Sequence, residues 1–351
     1  MTLRRPRSED PIVETETWFL RHGMPYFVPA ERAQVRAALA PRRFVPLAAI
    51  AVLVGLAVGG LLAWLSGDPA VAPAFLLTLG IGGFVIYGLT ALRARPILTY
   101  ALSQTGGSLR RLLPMATRAL PLLLVFMTFL FINAEVWMMS AYLDGASLWV
   151  TVLLFLLLGL LFFVTRLPEE IERADDDLDD ERVVLVCRGT PMEGEAARLA
   201  RRTGVLAQES HVIRYERVNL TLVLVITQMV QTLLLALSVF LFFLVFGALT
   251  MQEEIVKAWV VDAGVHNLEW LPNVSVELLQ VSVFLSAFAG LYFTVFAVTD
   301  ETYRNEFFTG VVAELERAIA VRAAYVASYR DRGRAVDAEV DDQATRRLPL
   351  E

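Results

Sequence analysis

Six stretches of this chain stay apolar for 17 to 34 residues each, and together they hold one charged side chain, Glu135. They run from Phe44 to Trp64, Ala74 to Leu92, Ala119 to Met139, Leu148 to Val164, Val218 to Met251 and Leu278 to Val298. A helix needs about 20 apolar residues to cross a hydrocarbon core roughly 30 Å thick. The expected fold class is therefore an all-α membrane protein with six transmembrane helices. A mean hydropathy of +0.55, with only 19% charged residues, excludes a soluble globular chain of 351 residues.

The cations give these spans a direction. Of 31 Lys and Arg residues, 30 are arginines, and all of those fall in four polar segments: the N-terminal segment, residues 93–118, residues 166–217, and the tail after 299. The alternate connections, 65–73, 140–147 and 252–277, carry only Lys257. By the positive-inside rule both termini are expected in the cytoplasm. Trp64, Trp137 and Trp149 stand at the outward ends of their spans, where indole rings favour the headgroup region. No cleavable signal peptide is read in the arginine-rich first 43 residues. The first span is expected to act as the insertion signal.

The resulting organisation is a cytoplasmic N-terminal segment (1–43), spans one to four (44–166), a cytoplasmic loop unit (167–217), spans five and six (218–298), and a cytoplasmic tail (299–351). The loop unit is expected to be α/β or helical. Val183 to Cys187 reads as a strand, and Pro191 to Arg202 as a helix capped by Thr190. The acidic run Asp175 to Glu181 reads as a solvated linker, because consecutive like charges repel. In the tail, Phe308, Val312, Leu315, Ile319, Val326 and Tyr329 follow helical spacing. Arg322 shares their stripe, which shortens the seam or calls for an acidic partner. The last twenty residues or so read as disordered. Trp18, Phe19, Tyr26 and Phe27 require burial, at the inner interface or in the loop unit, just before a short helix from Ala30 to Leu39. Residues Pro96 to Pro114 suit a surface helix or a re-entrant turn.

Small residues mark where spans pack. Gly55 and Gly59 lie on one stripe of span one, and Ser282, Ser286 and Gly290 on one stripe of span six. Such stripes let helix backbones approach closely in lipid, within one chain or between copies. Span five, at 34 residues, would extend about 51 Å as one helix. It is expected either to continue into the cytoplasm, the favoured course, or to tilt or break.

Candidate pathway residues are few. Glu135, with Asn133 beside it, is the one acid in a span, and an ionised side chain at mid-bilayer costs about 2.5–3.5 kcal/mol. Its place near the outer end also suits a wet interface. Thr227, Gln228, Gln231 and Thr232 gather in the inner half of span five, as pathway lining or as interhelical hydrogen-bonding groups. No nucleophile elbow, zinc helix or phosphate loop is present, so no enzyme, cofactor or metal is expected. Cys187, the only cysteine, excludes an intrachain disulfide.

Over Leu241 to Thr250, Phe296 to Phe308 and Glu16 to Val28 the chain resembles uncharacterised multi-pass membrane proteins of actinobacteria. That resemblance implies a plasma-membrane location and transfers no activity. Two functions remain open. One is an oligomeric channel or passive transport protein, with span five along the pathway. The other is a non-transporting scaffold or signalling component that recruits a cytoplasmic protein. The expected partners are the lipid bilayer, further copies of the chain and such a protein, with no nucleic acid.

Overall fold

A computed structural model describes residues 10–38, 40–103, 123–143, 145–176, 179–201, 204–209, 212, 214–260, 265–268, 271–299 and 313–333. Arg202, the reach of the surface helix to Pro114, the tail helix through Phe308 and Val312, and the expected disordered end lie outside them. In chain order the described helices are α1 (Pro11–Arg21), α2 (Pro29–Ala38), α3 (Pro41–Ser66), α4 (Val71–Thr90), α5 (95–103), α6 (Leu123–Phe131), α7 (Ala134–Tyr142), α8 (Gly145–Asp176), α9 (Asp180–Val186), α10 (Glu193–Leu199), α11 (Val205–Gln208), α12 (Arg214–Thr250), α13 (Glu253–Trp259), α14 (Val276–Thr299) and α15 (313–333). The one strand pairing among the described residues is a short antiparallel ribbon, Asn267–Leu268 against Leu271–Ser275.

Five helical segments are long and apolar enough to cross a membrane: Pro41–Ser66, Val71–Thr90, Gly145–Arg166, Tyr215–Thr250 and Val276–Phe296. A sixth span exists if α6 and α7 count as one, although they meet at a 75° bend. The chain divides into two compact units. One comprises residues 34–166 and 225–307, and the other 1–33, 167–224 and 308–351.

In the span-containing unit, α3 and α4 form a hairpin. Pro41 opens α3, where its missing N–H is no loss, and Gly67 ends it at φ 71°, a conformation that glycine adopts without strain. Gly55 and Gly59 are the buried residues of α3. A β-carbon on Gly55 would sit 2.6 Å from Leu76 Cδ1, and one on Gly59 would sit 3.0 Å from the Ala72 carbonyl oxygen. Gly290 of α14 likewise faces Ala236 and Thr232 of α12.

The third span departs from a single helix. Its helix stops at Phe131 and restarts at Ala134, capped by the Asn133 side chain, which accepts from Glu135 N at 2.8 Å. The break frees the Phe131 carbonyl. Trp137 Nε1 donates to that oxygen at 2.7 Å, so the backbone group is satisfied inside protein, as a low-dielectric setting demands. Trp137 is consequently fully buried, so its ring faces protein. It packs in an apolar core with Phe131, Phe243, Val281 and Leu285, where Phe131 stacks on Phe243 at 4.9 Å.

The other unit is helical, which corrects the strand expected at Val183 to Cys187. Asp179 accepts from Arg182 N at 2.7 Å, and Asp180 and Glu181 occupy the first turn of α9. A capping side chain and negative charge at a helix N-terminus together outweigh the β-propensity of three valines. Asp180 also accepts from the backbone of Gly204 and Ala207, opening α11. The end of the acidic run thus caps helices and is no solvated linker. The next helix begins at Glu193 with Met192 as N-cap, while Thr190 donates to the Cys187 carbonyl instead of capping. Helix α15 is buried on more than one stripe: Ala318, Ala320, Ala323 and Ala324 are inaccessible, and Tyr329 is exposed. The alanines let neighbours close around it, so it is a core helix of this unit.

Candidate functional site

The most elaborate polar arrangement lies in this second unit, on the first three turns of α12. Glu216 is 1% exposed and sits between two arginines distant in sequence. Arg32 Nη2 donates to its Oε1 at 2.6 Å, and Arg322 Nε lies 2.9 Å from its Oε2. Arg32 also donates to the carbonyls of Tyr26 and Phe27, and Arg322 to that of Glu209.

One turn further along α12, buried Asn219 reads the backbone of the 23–26 loop. Its Oδ1 accepts from Tyr26 N at 2.7 Å and its Nδ2 donates to the Gly23 carbonyl at 2.9 Å. This loop holds the aromatic cluster: Phe19 stacks on Phe27, meets Tyr325 edge-on, and is fully buried with Tyr26 and Phe27. Tyr325 Oη donates to Glu16 Oε1 at 2.8 Å. Three chain segments are thereby tied to one helix. The two guanidinium groups engage one carboxylate oxygen each, so the arrangement joins chain segments that are far apart in sequence.

The residues singled out in the spans do not form one site. Thr227 and Gln228 are buried, Gln231 is half-buried, and Thr232 lies against Gly290. Gln228 Nε2, Gln231 Oε1 and Ser282 Oγ are buried without a hydrogen-bond partner among the described residues. Ser286 donates to the Val283 carbonyl. Asn133 and Glu135 belong elsewhere, because Phe131 approaches α12 at Gly247, nineteen residues from Gln228 and about 28 Å along the helix. Glu135 is exposed in the first turn of α7.

Two hollows flank these helices. An apolar crevice of about 70 Å³ lies between α8, α12 and α14 around Gly159, Gly290 and Thr294. An open pocket of about 350 Å³ is bordered by Trp137, Gln252, Glu253, Glu254, Ser275 and Leu278. Among the described residues no three His, Cys, Asp or Glu side chains are grouped to hold a metal.

Glu216 and Asn219 carry no local sequence signal that marks them. Arg322 was the available signal, as a charge on an otherwise apolar stripe. Comparison with models of known families, with curated proteins and with solved structures returns no match in any of the three.

Proposed function

We propose that this chain is a non-transporting component of a bacterial plasma membrane. Both termini and the 167–217 segment lie in the cytoplasm, where the helical unit serves to recruit a protein partner. The observation that carries this reading is the gathering of N-terminal, central and C-terminal segments around Glu216, a construction with no use in a simple pore. The sealing of the third-span break by Trp137 in an apolar core supports it, since broken helices in transporters line a cavity. The arginine distribution supports the orientation.

A second reading, an oligomeric channel or passive transport protein, draws on one specific observation. Gln228, Gln231 and Ser282 hold buried polar atoms without partners among the described residues, which water or a permeating ion would satisfy. Flux from liposomes containing the purified chain separates the two. The scaffold reading expects leakage equal to that of empty liposomes. Ion flux that Gln228→Leu abolishes would replace it with the channel reading.

A further inference from the structure

Between Glu31 and Glu135 the sequence holds nine arginines and a single carboxylate, Asp68. The α3–α4 hairpin sorts them by position. Gly59 lies against Ala72, Gly55 against Leu76 and Phe44 against Tyr87, so α3 begins where α4 ends. Arg42 and Arg43 in the first turn of α3 therefore share one end of the hairpin with Arg93 and Arg95, just beyond α4. Helix α2 is tied to the same end. Tyr87 Oη donates to the Ala38 carbonyl at 2.8 Å, and Arg93 Nη2 donates to Gln34 Oε1 at 2.6 Å.

Asp68 stands at the other end, 26 helical residues away. That is about 39 Å, several times the roughly 8 Å screening length at physiological ionic strength. It cannot neutralise this cluster. Arginines of the other unit are treated differently, since Arg182, Arg198, Arg330 and Arg332 each meet a carboxylate. Arg42, Arg43 and Arg95 are exposed and make no ion pair among the described residues. Two of them also sit at the N-terminus of a 26-residue helix, where the backbone dipole already disfavours a cation. Among the described residues none supplies a carboxylate to Arg42, Arg43 or Arg95, which leaves them open to an anionic ligand. Directly below the arginines, Phe44, Val45 and Leu47 are 41%, 57% and 52% exposed. A ligand that suits both surfaces carries an anionic phosphate joined to hydrocarbon.

We propose that the arginine-lined end of the α3–α4 hairpin binds the headgroup phosphate of an anionic phospholipid, whose acyl chains lie along Phe44, Val45 and Leu47. This rests on the membrane reading above. The test uses the full chain in uncharged detergent, with a fluorescent phosphatidylglycerol as probe and phosphatidylglycerol, phosphatidylcholine and inorganic phosphate as competitors. Only phosphatidylglycerol should displace the probe, and high salt should weaken binding. Replacing Arg42, Arg43 and Arg95 together by Gln should raise the apparent Kd about tenfold or more, while replacing all three by Lys should leave most of the affinity. Unchanged affinity in the Gln variant overturns the proposal, and displacement by phosphate alone replaces it with a free-anion site. Should the triple variant not fold, Arg42→Gln and Arg95→Gln decide singly, each by about threefold weaker binding or none. Carbonate washing of native membranes reports separately: release of the chain defeats the membrane reading itself, whereas retention with unaltered lipid binding defeats only this site.

Discussion

Glu216 is a buried carboxylate whose two guanidinium partners come from opposite ends of the sequence, so removing it leaves two cations facing each other. Breaking a buried ion pair from one side costs about 3–5 kcal/mol, because the surviving charge stays desolvated. Glu216→Ala should destabilise the unit by about that amount, read as earlier thermal unfolding and faster proteolysis in the 23–28 loop. Replacing Arg32, Glu216 and Arg322 together by apolar residues of similar size should recover much of the loss. If Glu216→Ala unfolds no earlier than the native chain, the ion pairs contribute nothing to joining the segments. A second residue gives a pH signature. Cys187 is fully buried, and burial pushes its thiol up to about 12 from 9.0. Above pH 9 the unfolded chain loses this proton while the folded chain keeps it, so stability falls between about pH 9 and 12. Cys187→Ala should lessen that fall relative to the native chain, since the tyrosines titrate in both. At this scale the sequence revealed the misfit, Arg322 on an apolar stripe, but not its partner. Contacts between residues 32, 216 and 322 depend on tertiary folding that no local spacing encodes.

Among the elements, the hairpin gives the sharpest contrast. Gly59 and Gly60 are neighbours on α3, yet a β-carbon on Gly59 would meet the Ala72 backbone while one on Gly60 meets nothing within 4 Å. Both substitutions by alanine gain up to about 1 kcal/mol of helix propensity. Gly60→Ala should therefore match or exceed native stability, whereas Gly59→Ala should fall below it by forcing two backbones apart. Unfolding of both variants in detergent checks this, and equal stabilities would remove the close approach from the account of the hairpin. Hydrophobic length located the spans to within a few residues, because the cost of leaving backbone unpaired in lipid dominates everything local. Subtler competition escaped it. Val183 to Cys187 looked like a strand until the preceding aspartates capped a helix, and the third span looked unbroken although Asn133 starts a new helix within it.

For the whole molecule, orientation is the property on which the other proposals depend, and the native thiol is poorly suited to testing it. Cys187 is inaccessible and has a raised pKa, so it would resist a maleimide from either side of a membrane. Silence from intact cells would then carry no topological meaning. Exposed positions avoid the difficulty. In a Cys187→Ala background, Ser66→Cys and Lys257→Cys place thiols on connections that lack arginine, and Ser103→Cys places one on the arginine-rich side. Charge asymmetry this complete makes the orientation prediction strict, because 30 arginines must be retained on one face during insertion. A membrane-impermeant maleimide should label the first two in intact cells and Ser103→Cys only after permeabilisation. The reverse pattern would place the Glu216 unit outside the cell, where no cytoplasmic protein could reach it. Labelling of all three in intact cells would mean that the membrane had not held the arginines to one side.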